Sequence, residues 1–297
     1  MFSRRHPYLH FLLIFSSIVS VSAIVISLIV LMGIKYSTQD DIPDAEDKVG
    51  VVEVKGYIAD PQDTIQDIRK YREDKSIKAI VIRIDSPGGG GGPSQEISRE
   101  IQRTLQAKKV IASLGAVAAS GGYYIASAAS GIVANPGTIT GSIGVIMGFT
   151  DIQGLLQKIG VTPVVVKSGL YKDIGSPVRT MTDSERTLLQ TFSDQVHRQF
   201  ITAIAEGRHL EYDKVATVAD GRILTGENAH ELGLVDRLGN LEDAIAWAGE
   251  MGGITGKVSA VYAKDKKHTF IKRLAESSLH EIMSQLSAYH LFAGYVL

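Results

Sequence analysis

The sequence predicts an α/β fold. Two observations carry this: short β-branched runs alternate with stretches of helical spacing from residue 49 onward, and several of those runs stop at glycine. VGVVEVKGYI at 49–58 reads as the first strand. QDTIQDIRKYRED then places Ile65, Ile68 and Tyr71 on one helical face. IKAIVIRID at 77–85 is a run typical of a buried strand. It ends at SPGGGGGP, read as a turn, after which SQEISREIQRTLQA at 94–107 is a helix with Ser94 as its N-cap. KVIASL at 109–114 is a further strand, and GGYYIASAAS begins a helix behind Ser120. IVANP, SIGVIMG and TPVVVKSG continue the strand series, and a long amphipathic helix follows Thr182. The stretch from Phe270 has helical spacing and ends in apolar LFAGYVL, expected to pack on the domain or a partner.

The chain has 297 residues, a formal net charge of −1 and no cysteine. Near-neutrality argues against nucleic-acid binding. The missing cysteines exclude disulfides, a thiolate nucleophile and thiolate metal sites. No H-E-x-x-H occurs, so metal-assisted hydrolysis has no support.

Residues 11–34 are uncharged and apolar, long enough to span a bilayer. Arg4 and Arg5 precede them and an acidic stretch follows. The positive-inside tendency then puts residues 1–10 in the cytoplasm and the rest across a bacterial inner membrane, as a single-pass protein with its globular domain extracytoplasmic. A cleaved signal peptide is the alternative, but its apolar core is usually about 7–15 residues. The expected organisation is therefore an anchor at 11–34 in contact with lipid, a linker at 35–48, a globular domain at 49–250 and a C-terminal extension at 251–297.

The candidate chemistry centres on AVAASGGYYIASAA at 116–129. Ser120 precedes two glycines that leave its hydroxyl accessible, and the Gly121 amide would lie at a helix start. The bland reading is a serine N-cap. The glycines at 88–92 lack the Lys-Ser/Thr of a P-loop and the spacing of a dinucleotide fingerprint. They could offer bare amides to an oxyanion. A base is harder to place. None of the eight histidines, His197 included, is tied to Ser120 by sequence. Lys167 and Lys172 follow an apolar run, and a lysine made neutral by burial can act as base. Asp173 would oppose that beside Lys172 unless its carboxylate points away. The residues permit a Ser–Lys dyad without locating its lysine.

DSPGG, ASGGYYIA, TGSIGV, KSGLYKDIGSP and ADGRILTGENAHELGLVDRLG, in this order over roughly 50–245, resemble the signal peptide peptidase family of membrane-anchored serine proteases. The resemblance implies a ββα superhelix like that of Clp proteases and crotonases, a Ser–Lys dyad and no cofactor. It assigns Ser120 as nucleophile and Lys172 as general base, with Gly89 and Gly121 donating to the oxyanion and Ser142 orienting the amine. It implies peptide substrates, in particular remnant signal peptides. The single catalytic copy departs from tandem forms and implies a homo-oligomeric ring, a tetramer or octamer, with shared sites. GGGGGP replaces bulkier residues, which suggests a loop that is mobile before substrate binds. A non-proteolytic scaffold with a vestigial dyad, an acyl-CoA enzyme of the crotonase type and a quality-control protease for membrane proteins or its own tail are the alternatives.

Overall fold

The computed structural model describes residues 47–263 continuously, with Tyr8, Phe15–Ser17, Ser20, Val21, Ile24 and Tyr295–Val296 in addition. Contacts divide the chain into Met1–Glu46 and Asp47–Leu297. In the first unit the described residues are helical. Most of the expected anchor at 11–34 and the linker at 35–46 lie outside the described residues, as does the helical stretch from Phe270. Among the described residues no helix is long and apolar enough to cross a membrane.

In the second unit, elements run in the order β1 (Lys48–Ile58), α1 (Gln62–Glu73), β2 (Ile77–Gly89), α2 (Gly91–Thr104), β3 (Lys109–Ala119), α3 (Gly121–Ser127), β4 (Gly131–Ala134), β5 (Ile139–Gly141), β6 (Ile146–Met147) and α4 (Gln153–Lys158). Then follow α5 (Asp183–Arg208), α6 (Tyr212–Ala216), β7 (Ile223–Thr225), α7 (Gly226–Glu231), β8 (Arg237–Leu238), α8 (Leu241–Met251), β9 (Ser259–Tyr262) and β10 (Tyr295–Val296). The α/β expectation holds. The main sheet is eight-stranded among the described residues, with β9, β1, β2 and β3 side by side and parallel. Beyond β3 the sheet forks. Ile111–Leu114 pair with β4, which pairs onward with β8. Val117–Ala119 pair with β5, whose other neighbour is antiparallel β7. Ser120 directly follows the arm paired with β5.

Layering explains the unbroken apolar strands. Val52, Ile80, Ile82 and Ile84 pack with Ile68, Ile97, Ile101, Tyr123 and Phe200 of the helices on one face. Val49, Val51, Val81 and Ile111 pack with Ala244, Ile245 and Ala248 of α8. With both faces covered, alternation vanishes and β-branched side chains fill the run. Each fully buried side chain of this kind contributes about 1.5–3 kcal/mol.

Three local expectations change. The glycine run is regular structure: Gly88 and Gly89 extend β2 in register with Tyr57 and Ile58, and Gly91 opens α2. The N-cap of α2 is Gly90, and the Ser94 hydroxyl donates back to the Gly90 carbonyl at 2.9 Å. The helix starts early because Pro93 suits a first turn, where its missing N–H costs nothing. TPVVVKSG is no strand: residues 161–167 have no regular structure, and Val164 and Val166 are 86% and 96% exposed. Among the described residues no strand pairs with its β-branched residues, so propensity alone does not make a sheet.

Candidate active site

Ser120 ends β3 and precedes α3. Its φ of 54° and ψ of −120° lie outside every region an L-residue prefers. The conformation is held by the Ser120 amide donating to the Gly141 carbonyl at 2.9 Å and by its own carbonyl accepting from the Tyr124 amide at 2.9 Å. Strain of this kind costs about 1–3 kcal/mol and persists only where the surroundings over-determine it. The side chain makes no capping bond, so the N-cap reading of Ser120 fails. A serine on a strained strand-to-helix turn, its hydroxyl without a bonded partner among the described residues, is the geometry of a hydrolase nucleophile elbow.

Gly89 and Gly121 meet beside it. A Cβ on Gly121 would lie 3.2 Å from the Gly89 nitrogen and 2.5 Å from the Ser94 hydroxyl. A Cβ on Gly89 would lie 2.3 Å from the Ile58 carbonyl oxygen. Only glycine allows the two backbones this close. The Gly121 amide is in the first turn of α3 and so lacks an intrahelical acceptor. The Gly90 amide, by contrast, is spent on the Ile58 carbonyl at 2.8 Å.

A cavity of about 440 Å³ opens on Ser120. Ser142 lines it from a left-handed turn of φ 50°, its amide held by the Arg222 carbonyl at 2.8 Å. Four further residues, Gln190, Ser193, Asp194 and His197, come from one face of α5. These were not found from sequence, although the spacing of 190, 194 and 197 is a polar stripe on an otherwise amphipathic helix. His197 therefore shares a cavity with Ser120, a proximity the sequence left open. Its Nε2 is buried and has no hydrogen-bond partner among the described residues. Asp194, the one carboxylate of the stripe, accepts instead from Gln190 at 2.7 Å. Asp220 and Gly221 of the ADGR motif close the cavity floor, and the Asp220 carboxyl is lowered to about 2 by its bond to Arg222.

Lys172 is not brought to Ser120 within the chain. It is exposed, does not line the cavity, and its side chain has no bonded partner among the described residues. Lys167 is engaged: its ammonium donates to Asp173 Oδ1 at 2.6 Å and to the Leu170 carbonyl at 2.9 Å. Asp173 also accepts from Arg179 Nε at 2.8 Å, so its carboxylate is engaged by two cations other than Lys172. A second cavity, about 800 Å³ and largely apolar, adjoins the glycine run and is lined by Tyr57, Ile58, Pro93, Phe149, Ile174 and Phe192 among others. No group of three or more metal-ligating carboxylates or imidazoles occurs among the described residues.

A strained serine between strand and helix, beside two closely approaching glycine backbones in an α/β fold, is the arrangement of a serine hydrolase. Residues 102–255 match peptidase family S49. A Synechocystis sp. protein provisionally named a protease is 46% identical over 208 residues, 70% of this chain and 75% of that one. A protein of Enterococcus faecium provisionally named signal peptide peptidase SppA is 36% identical over 212 residues, covering 67% of this chain and 62% of its own. The chloroplastic serine protease SPPA of Arabidopsis thaliana is 39% identical over 243 residues, 79% of this chain but only 35% of the longer plant protein. The chain belongs to peptidase family S49 and is a serine peptidase.

Proposed function

We propose that this chain is a membrane-anchored endopeptidase of the Clp/crotonase-like superhelix type, and that it degrades cleaved signal peptides and other apolar peptides beside a bacterial inner membrane. The observation that carries it is the strained, uncapped Ser120 facing the Gly89–Gly121 contact. The E. faecium relative's name points to the substrate class. The apolar cavity beside Gly90–Pro93 fits aliphatic or aromatic side chains of such a peptide. The site also has a strand edge to receive an extended chain. Tyr295–Val296 pair antiparallel with Ile146–Met147, and Ile146 lines the Ser120 cavity. A peptide added along such an edge is held by main-chain bonds while alternate side chains enter pockets.

In this reading Lys172 serves the Ser120 of another copy. Its exposure, on a segment whose valines are also exposed, supports a head-to-tail ring in which each Ser120 meets a neighbour's Lys172. The neutral amine takes the Ser120 proton as Oγ attacks the peptide carbonyl. The Gly89 and Gly121 amides receive the oxyanion, and Ser142 orients the amine. Lys172 returns the proton to the departing amine, and water then cleaves the acyl-enzyme with the same base.

A second reading follows from His197, which shares the Ser120 cavity and would serve as base within one copy. It lacks an orienting carboxylate, since Asp194 is bonded to Gln190. Mixing two inactive variants separates the readings. Ser120→Ala and Lys172→Ala chains, each silent alone on a quenched apolar peptide, should regain activity when co-assembled, at about a quarter of the sites if exchange is random. Full activity in Lys172→Ala and none in His197→Asn would transfer the role of base to His197.

A further inference from the structure

Lys172 and Asp173 are sequence neighbours in a run of turns over 170–175, a placement that offers the lysine a carboxylate. An opposite charge within about 4–6 Å favours the ammonium, which is useless as a base. Two other cations have taken that carboxylate. Arg179 Nε donates to Asp173 Oδ2 at 2.8 Å, and Nη2 donates to Oδ1 at 2.9 Å and to the Asp173 carbonyl at 3.1 Å. Lys167 donates to Oδ1 from the other side.

The clamp is tied to a rigid element. The Arg179 guanidinium also donates to both Glu185 oxygens, at 2.9 and 2.5 Å. Glu185 closes the capping box of α5 with Thr182, and its side chain is 3% exposed. The line from Asp173 through Arg179 to Glu185 thus ends on the helix whose polar face lines the Ser120 cavity. Asp151 joins at one remove, accepting from Thr180 Oγ1 at 3.0 Å, and Arg186 shares a cavity of about 530 Å³ with Arg179 and Asp151. Lys167, Asp173, Arg179 and Glu185 sum to zero charge, so the clamp neutralises itself and leaves the Lys172 amine free.

We propose that Arg179 and Lys167 are positioning residues for the base: they hold the Asp173 carboxylate off the Lys172 amine and fix the turn that presents it. The hydrogen bonds from Arg179 and then Lys167 hold the Asp173 carboxyl well below the usual carboxylate range, which fits full engagement of its charge by the clamp. This rests on the reading of Lys172 as base.

The test is the pH profile of kcat/KM for full-length enzyme in detergent on a quenched apolar peptide, with folding followed by circular dichroism. Arg179→Gln frees Asp173, raises the pKa of the base and moves the acidic limb up by about one pH unit. Lys167→Gln does the same to a smaller extent and decides the matter if Arg179→Gln does not fold. The double variant Arg179→Gln/Asp173→Asn brings the limb back to the wild-type position or below. A limb unmoved in folded Lys167→Gln and Arg179→Gln, or one still displaced in the double variant, overturns the inference. Lys172→Ala with wild-type activity overturns instead the reading beneath it.

Discussion

The two halves of the proposed dyad are built by different physics. Ser120 sits 8% exposed at the end of a central strand, flanked by backbone contacts that tolerate no extra carbon. Lys172 sits in water on a segment without regular structure, held by ion pairs to a helix start. A core-built half is rigid because displacing it opens voids. A clamp-built half is only as firm as its charges, and so responds to pH. The comparison teaches why a nucleophile can be strained while its base need not be: only the packed side has the surplus stability to hold an unfavourable φ.

Substitutions on the packed side should separate chemistry from stability. Ser120→Ala is expected to lower peptide cleavage by at least about 10³-fold while leaving the fold and assembly intact, checked by turnover and sedimentation. Gly121→Ala should come next, near 10²-fold in kcat, because a methyl group beside the Gly89 nitrogen blocks the proposed oxyanion site. Gly89→Ala meets main chain rather than a yielding side chain, so thermal denaturation should show a loss of about 2–3 kcal/mol in stability.

On the exposed side the signs reverse. Val166→Asp should change the stability of a single copy by less than about 0.5 kcal/mol, since the side chain touches little. Cleavage should nevertheless fall together with assembly on size exclusion; unaltered cleavage by dispersed copies would break the shared-site reading. Acid gives the smallest effect. The Glu185 carboxyl is lowered to about 2, first by Arg179 and then by the Thr182 amide, and that of Asp173 is lowered by Arg179 and Lys167. Depressed carboxyls stabilise above their unfolded pKa, and that contribution is lost as pH falls through the folded one. Hydrogen exchange at 167–180 should therefore rise between about pH 4 and 2, before that at 109–127.

The strand–helix alternation, the apolar face of α1, the helix start behind Ser120 and the resemblance that singled out Ser120 and Lys172 were all legible in the sequence, because each rests on local pattern or motif. Local pattern misled at TPVVVKSG, where strand propensity had no partner to realise it, and at SPGGGGGP, where neighbouring Ile58 turns a nominal loop into strand. It was silent on the α5 stripe, on His197 in the Ser120 cavity and on which lysine is already spoken for. The first two depend on surfaces that meet from distant parts of the chain, and the third on how one turn closes over six residues; only the folded chain decides either. The sequence by itself determined which groups exist and how each segment prefers to run. The tertiary structure decided which hydroxyl is left unspent and which carboxylate is taken, since hydrogen bonds and ion pairs are settled by distance in space.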